Sequence, residues 1–156
     1  MSAEGILFLH LAGVLLFVGG SLAAALLRLA AMRRDRPSEI ALLLRSVRPV
    51  VPIVGGGLVV TIAAGFWLAS DLGLSLSETW LTLTFVLIGW LAVVGSVTGR
   101  QDRKTRELAE RLAAGSDAPS TELARRLREP LNLALNASML IAVVAILALM
   151  IWKPGA

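Results

Sequence analysis

The chain predicts an all-α membrane four-helix bundle, with both termini on the outer face and the third and fourth helices prolonged into the cytoplasm as an antiparallel hairpin. Three observations lead there. Four apolar stretches are each long enough to cross a hydrocarbon layer of about 30 Å as a helix rising about 1.5 Å per residue. The composition is 56% hydrophobic with a mean hydropathy of +0.78, against about 45–50% apolar residues in soluble domains. The basic residues fall almost entirely in two of the three connectors. All 156 residues are therefore read as one transmembrane domain.

The first span, Gly5–Met32, carries no charge until Arg28. With Glu4 and no Lys or Arg before it, and an apolar run beyond the roughly 7–15 residues of a signal-peptide core, it is expected to be retained. His10, Gly13, Phe17, Gly20 and Ala24 recur every three or four residues and so share a helix face, expected to meet the other helices. Arg28 is expected to snorkel toward the interface beside Arg33 and Arg34.

The connector 33–48 opens with a polar turn. Ser38 and Glu39, followed by IALLLRSV, predict a short amphipathic helix capped at Ser38 and lying on the membrane surface. Pro49 and Pro52 interrupt it, which starts the second span at Pro49 and runs it to Ser70. A kinked continuous helix from Ser38 is the alternative. Gly57, Thr61 and Gly65 place small residues on one face of this span, where another backbone can approach closely.

The third span covers Thr79–Gly99, with Ser75 and Glu78 at capping-box spacing before it and Gly95 and Gly99 as small packing residues near its end. Its helical pattern continues into the connector 100–129. Arg103/Glu107 and Glu107/Arg111 are i,i+4 pairs, and Leu108 and Leu112 share a face until Gly115 stops the helix. Leu123 and Leu127 repeat that pattern on the way back, which predicts the hairpin. Pro130 opens the fourth span, Pro130–Trp152.

Arg28–Arg48 and Arg100–Arg128 hold 6 and 8 of the 15 basic residues, leaving only Lys153 on the opposite side. The positive-inside rule then turns both termini outward, in a multi-pass protein of the bacterial cytoplasmic (inner) membrane. Trp67, Trp80 and Trp152 all reach the outer interface in this topology, as an aromatic belt does, and only Trp90 lies mid-span. The net charge of +4 and pI near 11 follow from these orientation signals and from contact with anionic lipid; they do not indicate nucleic acid.

Two polar groups are candidate sites. His10 is the single histidine, about 8 Å below the outer interface, at the depth of Met150. The two form a candidate ligand pair for b-type haem iron or for copper, which accept imidazole and thioether. The other reading is a neutral His10 hydrogen-bonded to a Thr or a carbonyl of a neighbouring helix. At the inner ends, Arg28, Arg48, Asn132 and Asn136 gather with Ser96 and Thr98, a set able to hold an anion or a lipid headgroup and equally able to cap and join helices. Arg28 lies about 27 Å along the helix from His10, so one haem cannot touch both.

The residue types also argue against several classes. There is no cysteine, hence no disulfide, thiolate metal site or cysteine nucleophile. No span has Asp, Glu or Lys in its central stretch, which argues against a cation-coupled transporter. One histidine without a buried carboxylate pair cannot assemble a hydrolytic triad or a di-metal hydrolase.

The string LHLAGVLLFVGG (Leu9 to Gly20), the glycine-rich second span ending GFWLA, the basic connector after span three and the terminal WKPG resemble a bacterial family of uncharacterised four-helix integral membrane proteins. That family is similar in turn to the copper-resistance D proteins and the HemJ-type protoporphyrinogen oxidases. In the latter, the resemblance implies a haem ligand at the position of His10 and a second at a lysine of the third helix. This third span has no lysine. The copper-resistance likeness implies copper handling, for which His10 and a methionine are the available ligands.

Two functions follow as expectations. One is a cofactor-free structural or assembly subunit, packing through its glycine faces with a homo-oligomeric copy or a partner membrane protein and contacting anionic lipid through its basic connectors. The alternative is a redox or metal module built on His10.

Overall fold

The computed structural model describes residues 2–71, 73 and 78–153, and every regular element among them is helical. Helix α1 covers Ala3–Ala31, with the Ser2 hydroxyl accepting the Gly5 N–H at 3.4 Å as its N-cap. Helix α2 covers Pro37–Ser46 and α3 covers Val50–Asp71. The turn between them keeps Val50 N–H and Val51 N–H bonded to the Val47 carbonyl, so α2 and α3 form a bent, nearly continuous rod. Pro52 is tolerated because it falls in the first turn of α3, where its missing N–H has no intrahelical acceptor to lose. Helix α4 runs unbroken over Thr79–Ala114. The short α5, Thr121–Leu127, is capped by Ser120 and leads through Arg128 and Glu129 into α6, Pro130–Trp152. Four helical rods, 3–31, 37–71, 79–114 and 121–152, are long and apolar enough to cross a membrane.

The rods associate as two pairs, α1 with α3 and α4 with α6. Phe17, Leu91 and Ala142 are buried where the pairs meet, with Val54, Leu58 and Val143 packed around them. A second core lies at the end of the molecule that carries the basic connectors, here the basic end. Ala31 of α1, Ile40, Ala41 and Leu44 of α2, Ala109 of α4, and Leu123 and Leu127 of α5 are all buried together, with Leu108 and Leu112 against them.

This second core corrects the expectation of a surface-lying α2, whose apolar face is covered by protein. Nor is Ser38 its cap. The helix begins one residue earlier at Pro37, and Ser38 lies inside the first turn. Trp80, at the start of α4, is turned into the protein. Its ring is buried, its indole N–H donates to the Glu78 carboxylate, and the Lys153 ammonium lies 5.8 Å from the ring centre. Trp67 and Trp152 are exposed. Of the two i,i+4 pairs expected on α4, Arg103–Glu107 forms at 2.8 Å, whereas Arg111 donates to the Glu107 backbone carbonyl. Ser75 and Pro154 lie outside the described residues, so the capping box and the end of the WKPG string do too.

Candidate functional site

Helices α1 and α3 cross almost backbone to backbone. A Cβ built at Gly13 would lie 2.8 Å from the Thr61 nitrogen and 2.9 Å from the Gly57 oxygen. One built at Gly57 would lie 2.7 Å from the Phe17 nitrogen. Only glycine at both positions permits this separation. The Thr61 hydroxyl turns back onto the Gly57 carbonyl at 2.8 Å, satisfying itself within its own helix.

The close crossing brings the buried His10 against α3, where its Nδ1 lies 2.9 Å from the Thr61 carbonyl oxygen. A carbonyl can only accept, so Nδ1 carries a proton and is the donor in this contact. Gly65 makes the room for this ring, since a Cβ there would lie 3.1 Å from His10 Cε1.

Met150 borders a cavity of about 40 Å³ with Val14, Phe17, Thr61 and Ile146, and His10 does not line that space. The volume suits roughly one water molecule, whose share of the liquid is about 30 Å³. Among the described residues no group of three or more His, Asp or Glu gathers in a way that could hold a metal ion.

The second candidate lies at the basic end, between the two helix pairs. A cavity of about 470 Å³ is lined by Arg28 of α1, by Arg48 of the α2–α3 turn, by Asp102, Arg103 and Arg106 of α4, and by Asn136 of α6. Arg28 is 8% exposed. It donates through Nη1 to the Asp102 carboxylate, tying the end of α1 to α4, while its Nε–H is buried without a partner. The Arg106 Nε–H is likewise buried and unpartnered, with the nearest Glu110 oxygen 3.6 Å away. Arg48 is in no ion pair among the described residues.

The structure thus divides the expected inner polar group. Arg28, Arg48 and Asn136 face one cavity, whereas Asn132 is fully buried and borders another with Gln101, Lys104, Arg125 and Arg128. The two asparagines are linked, Asn136 Nδ2 donating to the Asn132 carbonyl at 2.7 Å and to its Oδ1 at 3.1 Å. Gly95 and Gly99 do not mark a tight helix crossing within the chain. A Cβ at Gly95 would meet only Met139 Cε at 3.6 Å, one at Gly99 would meet nothing within 4 Å, and both residues line the basic cavity.

Asp102 and Arg106 adjoin the more conspicuous exposed pair Arg103/Glu107 on the same helix. Thr98, Asp102 and Arg106 follow one another at intervals of four and continue the buried face of α4 past the last apolar turn.

A family model described as "Predicted integral membrane protein (DUF2269)" matches residues 4–154. No curated protein and no solved structure matches the chain. The match carries no link to the copper-resistance D proteins or to the HemJ-type oxidases.

Proposed function

Since this chain belongs to the DUF2269 family of predicted integral membrane proteins, we propose that it works as a cofactor-free structural or assembly subunit of the bacterial cytoplasmic membrane, packing through glycine-bearing helix faces. The observation that supports this reading is a division among its glycines. Gly13, Gly20, Gly57 and Gly65 are used inside the chain, each with a neighbour closer to its built Cβ than ordinary contact allows. Gly19, Gly55, Gly56 and Gly89 are exposed on α1, α3 and α4 with nothing within 4 Å. Glycine gains nothing from lipid contact and costs conformational entropy, whereas an approaching helix exploits the missing side chain. The occupant is a further copy or a partner membrane protein. In this reading both termini face outward and the basic connectors are cytoplasmic, as the positive-inside rule and the exposed Trp67 and Trp152 at the other end favour.

The test is association in native membranes, read by cross-linking and by energy transfer between tagged copies. Gly56→Leu and Gly89→Leu are expected to reduce the associated fraction while leaving the thermal midpoint of the monomer unchanged. Full association in both variants would sink the proposal. Gly57→Leu is not a suitable probe, because it strikes the internal crossing.

A second reading rests on the His10 hydrogen bond. Histidines that ligate metals characteristically donate their other ring N–H to a carbonyl or carboxylate, and His10 Nδ1 does so to Thr61. Nε2 would then bind copper or b-type haem with the second ligand supplied by another copy. Protein purified from cells supplied with haem and copper would show a Soret band or bound copper that is lost in His10→Ala. A colourless, metal-free preparation removes this reading.

A further inference from the structure

We propose that the cavity between the two helix pairs at the basic end is a binding site for a phosphate-bearing anion, with Arg28, Arg48 and Arg106 as its ligands and a phospholipid headgroup as its occupant. The proposal is independent of the assembly reading, which concerns the outer faces of the helices.

The argument begins with an imbalance. A guanidinium has five N–H donors in a planar fork, and Arg28, almost wholly buried, spends one on Asp102 while its Nε–H finds no acceptor among the described residues. Arg106 stands one turn beyond Asp102 and repeats the condition, with a buried Nε–H lacking a hydrogen bond. Burying a donor unpaired is costly, so the Arg28 Nε–H calls for an acceptor that the described residues do not provide, whereas Arg106 Nε has only the long Glu110 contact at 3.6 Å. The lining charges agree. Arg28, Arg48, Arg103 and Arg106 stand against the single carboxylate of Asp102 in the cavity wall. Glu107 and Glu110 pair with Arg103 and Arg106 from outside that wall, leaving Arg48 without an anion among the described residues. A phosphate group supplies several oxygen acceptors and negative charge, and arginine forks match its geometry.

The location selects the source. Apolar and small residues, Ala24, Ala25, Val50, Val54 and Met139 among them, line the rest of the space. Small side chains on α1 and α4 create the volume, and the lining passes from these residues to the arginines within one cavity. That sequence of chemistry matches an amphiphile whose charged head lies where the uncharged part of each span ends. About 470 Å³ falls within the range of small-ligand sites, roughly 300–1,000 Å³, and suits a headgroup with the start of its acyl chains.

The test is titration of the purified full-length protein in neutral detergent, by native mass spectrometry and calorimetry, with short-chain phosphatidylglycerol, the matching diacylglycerol, and inorganic phosphate. Phosphatidylglycerol is expected to bind, diacylglycerol to bind much more weakly, and Arg48→Ala and Arg106→Gln each to weaken phosphatidylglycerol by about tenfold. Both variants should keep the wild-type thermal midpoint without ligand, because neither residue holds the helix pairs together. Binding of inorganic phosphate as tight as that of the lipid, with the same arginine dependence, upholds the phosphate site and assigns it to a soluble anion. Diacylglycerol binding equal to that of phosphatidylglycerol, or unchanged affinity for both phosphate probes in both variants, overturns the proposal.

Discussion

The carboxylate of Asp117 caps helix α2 from 79 positions away, accepting the backbone N–H of Ser38 at Oδ1 and the Ser38 hydroxyl at Oδ2, each at 2.8 Å. Asp117 reaches this pose with φ at 49°, a left-handed conformation that aspartate tolerates better than most residues. The first turn of α2, whose own Arg36 offers no side-chain cap, is thereby fastened to the turn between α4 and α5.

This link predicts an acid-sensitive connector. The two Ser38 hydrogen bonds, the hydroxyl's first, hold the Asp117 carboxyl below its ordinary range, with a smaller contribution from Arg36. A depressed carboxylate contributes stability above its unfolded pKa of about 3.9 and loses it as pH falls through the folded value. Limited proteolysis at residues 33–36 and 115–120 should therefore be faster in Asp117→Ala than in wild type at neutral pH. The two rates should converge in acid below the depressed value. An equal difference at all pH values would show that the charge is not what matters.

Arg28 and Asp102 predict a coupled pair. Arg28→Met leaves a carboxylate facing the cavity without its partner, and because the Asp102 side chain is 37% exposed the loss should fall below the range for a fully buried pair, at about 2 kcal/mol. Arg28→Met/Asp102→Leu should recover most of it. A double-mutant cycle on unfolding in detergent measures the coupling, and additive effects would refute the pairing.

The glycines predict opposite outcomes on two helices. Gly57→Ala forces a Cβ to within 2.7 Å of the Phe17 backbone nitrogen, an atom that cannot step aside without moving α1, and should cost about 1–3 kcal/mol. Gly99→Ala meets open space and should be neutral or stabilising by up to about 1 kcal/mol through helix propensity. Thermal midpoints of the two variants decide the matter.

His10→Ala removes the bond to the Thr61 carbonyl and should cost about 1 kcal/mol, typical of a polar contact between membrane helices. Gly65→Ala, which crowds the same ring at 3.1 Å, should destabilise the wild type more than it does His10→Ala. Equal effects in the two backgrounds would place the strain elsewhere.

Much of this organisation is legible in the sequence because it depends on local patterns. The four apolar runs, Pro130 at a helix start, the face of His10, Gly13, Phe17 and Gly20 on α1 and that of Gly57, Thr61 and Gly65 on α3 all follow from period and residue size. The contact of Leu123 and Leu127 with Leu108 and Leu112 follows from the same helical spacing. A tryptophan near a span end reads the same in sequence whether it faces lipid or, as Trp80 does, turns inward toward Glu78 and Lys153.

Residue order alone therefore specifies the set of rods and the side chains that share each face. Hydropathy, proline and glycine act within a few turns, over which a helix has a fixed period. Placement of the rods in space settles that α2 belongs to a buried core, that Asp117 caps it, and that Asp102 meets Arg28 beside a cavity that Asn132 does not share. Those outcomes depend on which rod stands beside which and at what height. Lipid-facing and helix-facing surfaces are both apolar, so residue type carries no record of that choice until the backbones are placed.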